Sequence, residues 1–218
     1  MYNRYDIAIF DVDGTLLDTT EGVVASVERV IKERGLKPLP KEQLMTFIGP
    51  PIHDSFARVY GFTGPILQEL ADEFRNYYKN DYLFLATPYE GIYEAMNQLL
   101  DDGIKIAIAT YKRQDYAELI LKHFSFDKYS NIMYGADLFN QLKKVDIIRK
   151  CMIDLGVEDC SRAVMIGDSI HDAGGAAQLE MPFLGVTYGF GFETDDEVYE
   201  CQAIGSAHSP LEIVPYFR

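Results

Sequence analysis

Two aspartates at the end of a short apolar run are the residues with the clearest chemical potential. Asp11 and Asp13 lie in the segment YDIAIFDVDGT, residues 5–15. The apolar run predicts a buried strand, and residues two apart on a strand share a face. Two carboxylates about 4 Å apart near a protein surface repel each other by roughly 4 kcal/mol. A cation, a shared proton or solvent must therefore offset this repulsion, and a metal ion is the natural candidate.

A second acidic pair lies far along the chain. Asp168 and Asp172 belong to AVMIGDSIHD, residues 163–172, in which an apolar run ends in Gly-Asp-Ser. If the chain turns helical after Ser169, positions four apart lie on one face, and the two carboxylates can converge. His171 between them is expected to be exposed, because a metal held by carboxylates prefers oxygen ligands.

The elements that must position these residues follow from hydrophobic patterning. Further apolar runs at 104–109, 131–134, 163–166 and 183–187 predict strands, and helical periodicity separates them from residue 88 onward. This alternation is typical of an α/β fold, a parallel sheet with helices on both faces. The loops at the carboxyl ends of such strands form the ligand crevice.

The stretch 19–85 interrupts this alternation. It shows no convincing strand, and it carries apolar stripes at helical spacing, among them Val23, Val27, Val30 and Ile31. The sequence therefore predicts a core domain of residues 1–18 and 86–218, with an inserted all-helical domain of residues 19–85.

Composition narrows the class of protein. The 218 residues carry a formal charge of −14, which argues against a nucleic-acid partner, because binding a phosphate backbone requires a basic patch. No apolar run reaches the roughly 18 residues that a membrane span requires, and the amino terminus lacks the pattern of a secretory signal. Three cysteines without disulfide or metal-ligand spacing suit a reducing compartment. We expect a cytoplasmic protein, and the oligomeric state cannot be read from the sequence.

Four motifs in order resemble the haloacid dehalogenase (HAD) superfamily, and within it the phosphoglycolate-phosphatase-like proteins. They are Asp-Val-Asp-Gly-Thr at 11–15, Thr110 after the second core strand, Lys144-Val-Asp-Ile-Ile, and Gly-Asp-Ser-Ile-His-Asp at 167–172. Members of this superfamily are mostly magnesium-dependent phosphatases. The resemblance implies a Rossmann-like core and a helical C1 cap formed by the insertion.

The resemblance also implies a role for each motif residue. Asp11 is the expected nucleophile and Asp13 the general acid, while Thr110 and Lys144 bind the phosphoryl group. Lys143 competes with Lys144 for the last role, since the two are adjacent. The implied Mg²⁺ ligands are Asp11, the backbone carbonyl of Asp13 and Asp168, with Asp172 as a further ligand or as a residue that orients the ligands and Lys144.

Candidate substrate-binding residues are fewer and less specific. His53 and Arg58 lie in or next to the segment FIGPPIHDSF, residues 47–56, which resembles the cap of phosphoglycolate-phosphatase-like proteins. Lys112 stands in a Thr-X-Lys arrangement that is similar to that of several family members. His53 could instead be a structural or exposed histidine, and Lys112 and its neighbour Arg113 could be solvated charges at the start of a helix.

Together these patterns predict a Mg²⁺-dependent phosphomonoesterase that hydrolyses a small phosphorylated metabolite through an aspartyl-phosphate, with no nucleic-acid or membrane partner. A 5′-nucleotidase and a β-phosphoglucomutase-like phosphosugar mutase are alternative enzymes. The alternative outside enzymology is a phosphoacceptor or binding module. Phosphoglycolate, a nucleoside monophosphate and a sugar phosphate are all small anions, and the sequence does not choose among them.

Overall fold

The computed structural model describes residues 4–138 and 141–218. The chain divides into two compact units. The larger unit comprises the residues up to Leu17 and those from Pro88 onward, and the smaller unit is Asp18–Thr87. The sequence places these boundaries at 18/19 and 85/86.

Strands are confined to short segments of the chain. In chain order the described residues form β1 (Ile7–Phe10), β2 (Leu17–Asp18), β3 (Thr87–Pro88), β4 (Lys105–Arg113), β5 (Met133–Ala136), β6 (Ala163–Gly167), β7 (Phe183–Val186) and β8 (Gly205–Ala207). Within the described part of the chain, six of them form a parallel sheet in the order β5-β4-β1-β6-β7-β8, while β2 pairs with β3. The predicted parallel α/β fold is therefore confirmed.

Helices occupy most of the remaining chain. In chain order they are α1 (Thr20–Glu33), α2 (Lys41–Met45), α3 (Ile52–Tyr60), α4 (Pro65–Tyr77), α5 (Ile92–Asp101), α6 (Gln114–His123), α7 (Lys144–Leu155), α8 (Ile170–Ala177) and α9 (Asp195–Glu200). A π-helical turn spans Tyr78–Tyr82, and 3₁₀ turns span Phe126–Lys128, Cys160–Arg162 and Pro210–Phe217.

The central strand β1 is buried on both faces. Successive side chains of a strand point to opposite faces, so Ile7 and Ile9 share one face while Ala8 and Phe10 share the other. All four side chains are buried. The face of Ile7 and Ile9 packs in one apolar cluster with α7 and α8, and α5 and α6 pack against β4. A strand covered in this way reads as a continuous apolar run, as the segment IAIF does.

The register of the sheet brings the carboxyl ends of three neighbouring strands together. β1 pairs with β4 on one side and with β6 on the other, with Phe10 opposite Ile108 and Ile166. The residues that follow these positions, Asp11 and Asp168 among them, therefore emerge at the same end of the sheet. Between Ala109 and Arg113 the pairing of β4 with β5 shifts register, which is typical of a strand that is bent to aim side chains.

The smaller unit is helical apart from its ends. α1 packs against α4, and α3 packs against α4. The apolar stripe of α1 is buried through Val23, Val27, Val30 and Ile31, as its periodicity predicts. Gly22 allows a close approach within the unit, because a Cβ there would overlap the carbonyl oxygen of Tyr82. In the part of the chain that the structure describes, no helix has the length and apolarity needed to cross a bilayer.

Candidate active site

Three buried aspartates converge at the carboxyl end of the sheet. Asp11 follows β1 directly, Asp168 follows β6, and Asp172 lies in the first turn of α8. The backbone N–H of Asp11 donates to the carbonyl oxygen of Ile166, which joins the two strand ends. Each of the three carboxylates offers an oxygen, and these oxygens all lie within 4.8 Å of one another.

Lys144 supplies a positive charge to this cluster. Only 2% of the residue is exposed, and its Nζ lies 2.7 Å from Asp11 Oδ1 and 2.5 Å from Asp172 Oδ1. Lys144 is the first residue of α7, whereas Lys143 precedes the helix and is exposed. The structure thus brings Lys144 to the expected nucleophile. A buried ammonium between two carboxylates is held in place, because removal of either partner leaves a charge uncompensated.

The start of α8 fixes the position of Asp172. Its Oδ2 accepts hydrogen bonds from the backbone N–H of Ser169 at 3.2 Å and from the Ser169 hydroxyl at 2.6 Å. This reciprocal arrangement is a capping box, in which the third helical residue bonds back to the residue before the helix. The other oxygen of Asp172 remains directed to Lys144.

Asp13 has a different partner from Asp11. Its Oδ1 lies 3.0 Å from Nζ of Lys112, a side chain that is only 6% exposed. Gly14, with φ of 82°, turns the chain immediately afterwards, and its N–H donates to Leu17 O. The structure therefore separates the two leading carboxylates electrostatically, each beside its own lysine. The Asp13 side chain does not belong to the three-carboxylate group that the described residues form.

Thr110 lies inside β4, which continues to Arg113 beyond the strand end that the sequence predicts. The residue is buried, and its Oγ1 accepts a hydrogen bond from the N–H of Lys112 at 3.1 Å. Arg113 forms an ion pair with Asp115. The neighbouring Tyr111 accepts a hydrogen bond from the backbone N–H of Lys144 at 2.9 Å, so β4 also holds the start of α7.

The three-carboxylate group can hold a divalent cation. Three buried carboxylates face one ammonium, which leaves an excess of negative charge where water is largely excluded. Carboxylate oxygens are the ligands that hard divalent ions prefer, and ions of this kind keep several waters, so few protein ligands suffice. The donor set thus fits a metal of the magnesium class.

Comparison with known proteins places the chain in a family. The family model described as haloacid dehalogenase-like hydrolase matches residues 8–186. The chain belongs to this family. This haloacid dehalogenase-like hydrolase is 33% identical over 214 residues to a 5′-nucleotidase of Pseudomonas aeruginosa, a match that covers 96% of both chains.

Two further similarities agree with this membership. The hydrolase is 30% identical over 191 residues to a phosphoglycolate phosphatase of Agrobacterium fabrum, which covers 84% of this chain and 81% of that protein. A predicted phosphatase from Clostridium acetobutylicum has a similar structure, with a TM-score of 0.87, 32% identity and 97% coverage of both chains.

Two aspartates of this haloacid dehalogenase-like hydrolase, Asp11 and Asp168, have perturbed pKa values. Burial raises the pKa of Asp11 to about 7, against the effect of Lys144 and with a further rise from Asp172. Burial also raises the pKa of Asp168 to about 8, and Asp172 and Asp11 act in the same direction. Burial alone would favour the neutral amine of Lys144, but the adjacent carboxylates prevail and raise its pKa. The lysine is therefore charged, and without a cation Asp11 and Asp168 would be protonated in part near neutral pH.

Of the two candidates in the smaller unit, Arg58 is exposed and His53 is half-buried. His53 Nε2 lies 2.9 Å from Gln68 Oε1, and Arg58 Nη2 donates to the carbonyl oxygen of Thr46 at 2.6 Å. Both partners belong to the same unit as the candidates. The contact of His53, Arg58 and Lys112 with substrate stays a prediction.

One part of the site has no counterpart in the sequence-based predictions. The backbone N–H groups of Phe190 and Gly191 donate to Asp168 Oδ2 at 2.7 and 3.1 Å. Contacts made by backbone N–H groups cannot be recognised from the types of the residues that make them. A Gly-X-Gly spacing, Gly189 to Gly191, shortly after an apolar strand is the sequence signal for a loop in close contact with its neighbours.

Proposed function

We propose that this chain is a Mg²⁺-dependent phosphomonoesterase that acts on a small phosphorylated metabolite through an aspartyl-phosphate. The observation that carries the proposal is the contact of Lys144 with Asp11, inside a group of three buried carboxylates and next to the Asp13–Lys112 pair. The 5′-nucleotidase and phosphoglycolate phosphatase relatives support a phosphate ester as substrate.

In the first step, Asp11 attacks phosphorus. An Asp11 carboxylate oxygen forms a bond to phosphorus as the bond to the ester oxygen breaks, and Asp13 gives its proton to that leaving oxygen. Lys144 and Thr110 neutralise and orient the phosphoryl oxygens, whose charge is shared by every substrate. The products are the free alcohol and a phosphorylated Asp11.

In the second step, water attacks the phosphorylated aspartate. Asp13, now ionised, takes a proton from water while the oxygen of that water bonds to phosphorus and the bond to Asp11 breaks. Inorganic phosphate leaves, and both aspartates return to their starting states. Asp11, Asp168 and the Asp13 carbonyl would hold Mg²⁺, with Asp172 as a further ligand or as a residue that orients the ligands and Lys144. When bound, the ion supplies positive charge that favours ionised Asp11 and offsets the charge of the phosphoryl group.

The helical unit is proposed to select the substrate. Its segment 47–58 contains His53 and Arg58, the two candidate contacts, and a turn at Gly49, Pro50 and Pro51. By resemblance to the family it acts as the cap, so its residues are expected to affect the ranking of substrates more than the chemical step. The free cysteines Cys151, Cys160 and Cys201 support a reducing, cytoplasmic location.

Hydrolysis of an aryl phosphate tests the proposal. The purified chain should release phosphate with many turnovers, lose activity on chelation, and regain it with Mg²⁺ but not with Ca²⁺, whose looser coordination shell misplaces the reacting groups. A phosphoacceptor module would instead bind at most one phosphoryl group per chain, and a mutase would transfer the group to a bound sugar phosphate. Undiminished activity in excess chelator would contradict the metal requirement.

A panel of phosphorylated metabolites then identifies the substrate class. Nucleoside monophosphates, sugar phosphates and phosphoglycolate should differ in kcat/KM, and the panel separates a 5′-nucleotidase from a phosphoglycolate phosphatase. The native chain should prefer one class, since the leaving group is the part in which these esters differ.

A further inference from the structure

The segment Tyr188–Phe192, Tyr-Gly-Phe-Gly-Phe, surrounds one carboxylate of the site. We call it the 188–192 loop. The N–H groups of Phe190 and Gly191 both donate to Asp168 Oδ2, and the N–H of Phe192 donates to the backbone carbonyl of Asp168 at 2.8 Å. Three consecutive backbone donors therefore hold a single residue.

The glycines of the loop are required by close contact. A Cβ at Gly189 would lie 2.5 Å from Asp168 Oδ2 and closer still to the carbonyl oxygen of Gly14. A Cβ at Gly191 would overlap the carbonyl oxygen of Asp168. Real Cβ atoms do not approach other atoms so closely, so any side chain at these positions must displace the loop or the carboxylate.

Tyr188 ties the loop to the segment that follows Asp11. Its hydroxyl donates to the carbonyl oxygen of Thr15 at 3.1 Å, and its ring packs edge-on against Tyr89, with a centroid separation of 4.8 Å. The loop is thereby anchored at one end to the chain that carries Asp11 and Asp13, and at its centre to Asp168.

We propose that the 188–192 loop is a positioning element for the metal ligand Asp168. Two amide donors on Oδ2 restrain the orientation of the carboxylate, and Oδ1 would be the oxygen available to the cation. The inference rests on the proposed function, in which that cation is Mg²⁺. Groups that orient a ligand in this way commonly contribute about 10- to 100-fold in metal affinity.

Binding of Mg²⁺ alone to the metal-free chain provides the test. Gly189→Ala should raise the Mg²⁺ Kd by about 10- to 100-fold, measured by titration calorimetry. Gly174→Ala is the matched control, because a Cβ at that position of α8 meets nothing within 4 Å, and its Kd should stay within about twofold of the native value. A folded Gly189→Ala chain with the native Kd would overturn the proposal.

A milder pair of variants decides the matter if Gly189→Ala does not fold. Tyr188→Phe removes one hydrogen bond and little volume, and should raise the Mg²⁺ Kd by about two- to tenfold. Tyr199→Phe, at an exposed tyrosine, should not change it. Equal Kd values for these two variants would overturn the inference. A different result would contradict the proposed function, namely a native chain that binds Mg²⁺ but does not hydrolyse phosphate esters.

Discussion

The carboxyl end of the sheet and the segment 47–58 of the helical unit hold their candidate residues in opposite ways. At the sheet end, Asp11, Lys144 and Asp172 are buried and contact one another. In the helical segment, His53 is half-buried and Arg58 is exposed, and each has a neutral partner, a side-chain amide and a backbone carbonyl. Buried charges are fixed because movement would leave them unpaired, whereas exposed groups can exchange partners for water or a ligand at small cost.

This difference suggests a division of labour. Chemistry requires reacting groups held within a fraction of an ångström, which the buried cluster provides. Selection among substrates requires groups that can change partners, and we propose that His53 and Arg58 are such groups. Variants in the two regions should therefore change different kinetic constants.

The largest effect is expected from the nucleophile. Asp11→Asn should lower kcat by more than about 10⁴-fold, because an amide is nearly the same shape but a poor nucleophile. Asp127→Asn, at an exposed aspartate of the same unit, is the control and should leave kcat unchanged. Steady-state hydrolysis of an aryl phosphate measures both, and a fully active Asp11→Asn enzyme would remove Asp11 from the mechanism.

The second-largest loss of kcat is expected from substitution of Lys144. Lys144→Met should lower kcat by about 10²- to 10³-fold on every substrate, since the phosphoryl group that it neutralises is common to all. The adjacent Lys143→Met should remain within about threefold of the native rate. Folding is checked by circular dichroism, because unpaired buried carboxylates can destabilise the variant by about 3–5 kcal/mol. If the effects of the two substitutions were exchanged, the assignment of Lys144 would be wrong.

The sequence predicts much of this cluster because its residues follow apolar runs. Asp11, Asp168 and Lys144 each stand next to a strand or at a helix start that hydrophobic patterning reveals. The sequence does not predict the extension of β4 through Tyr111 to Arg113, since that stretch is polar and its pairing depends on a register shift. The sequence also does not predict β8, Gly-Ser-Ala, because three small residues carry no strand signal.

Contacts between segments that lie far apart in the chain are the other feature of the site that the sequence does not predict. The sequence predicts Lys112 as a substrate contact or a solvated charge, whereas its ion pair with Asp13 depends on how β4 lies beside β1. The donors of the 188–192 loop are backbone groups, which every residue except proline possesses. Such contacts emerge from the three-dimensional arrangement and leave little trace in residue type.

The pH dependence of the buried cluster should be large in the absence of metal. The raised pKa values of Asp11 and Asp168, about 7 and about 8, mean that the folded chain binds more protons than the unfolded chain above about pH 4. The stability of the metal-free protein should thus fall as pH rises from about 5 to 8.

Metal binding should show the opposite trend. Because the ligands must lose protons, the Mg²⁺ Kd should decrease as pH rises, by about tenfold per pH unit for each proton released between pH 6 and 7. Denaturant melts in chelator and calorimetric titrations at several pH values measure the two trends. A Kd that does not change between pH 6 and 8 would contradict these pKa values.

The smallest effects are expected in the helical unit. Arg58→Ala and His53→Ala should raise KM by about three- to tenfold or reorder the preferred substrates, with kcat within about twofold. Arg29→Ala, at another exposed arginine of the unit, should change neither constant. The comparison needs at least two substrates with different leaving groups. A uniform loss of kcat from the Arg58 and His53 variants would refute the division of labour.

Mapping of the phosphoryl group on the chain tests the central claim most directly. With an aryl phosphate the leaving group departs without an acid, so Asp13→Asn should still form the aspartyl-phosphate, but it lacks the base that activates water for hydrolysis. Acid quenching and peptide mass analysis should then find close to one phosphoryl group per chain, on Asp11. If the chain released phosphate without a phosphoryl group on Asp11, or carried that group on another residue, Asp11 would not be the nucleophile.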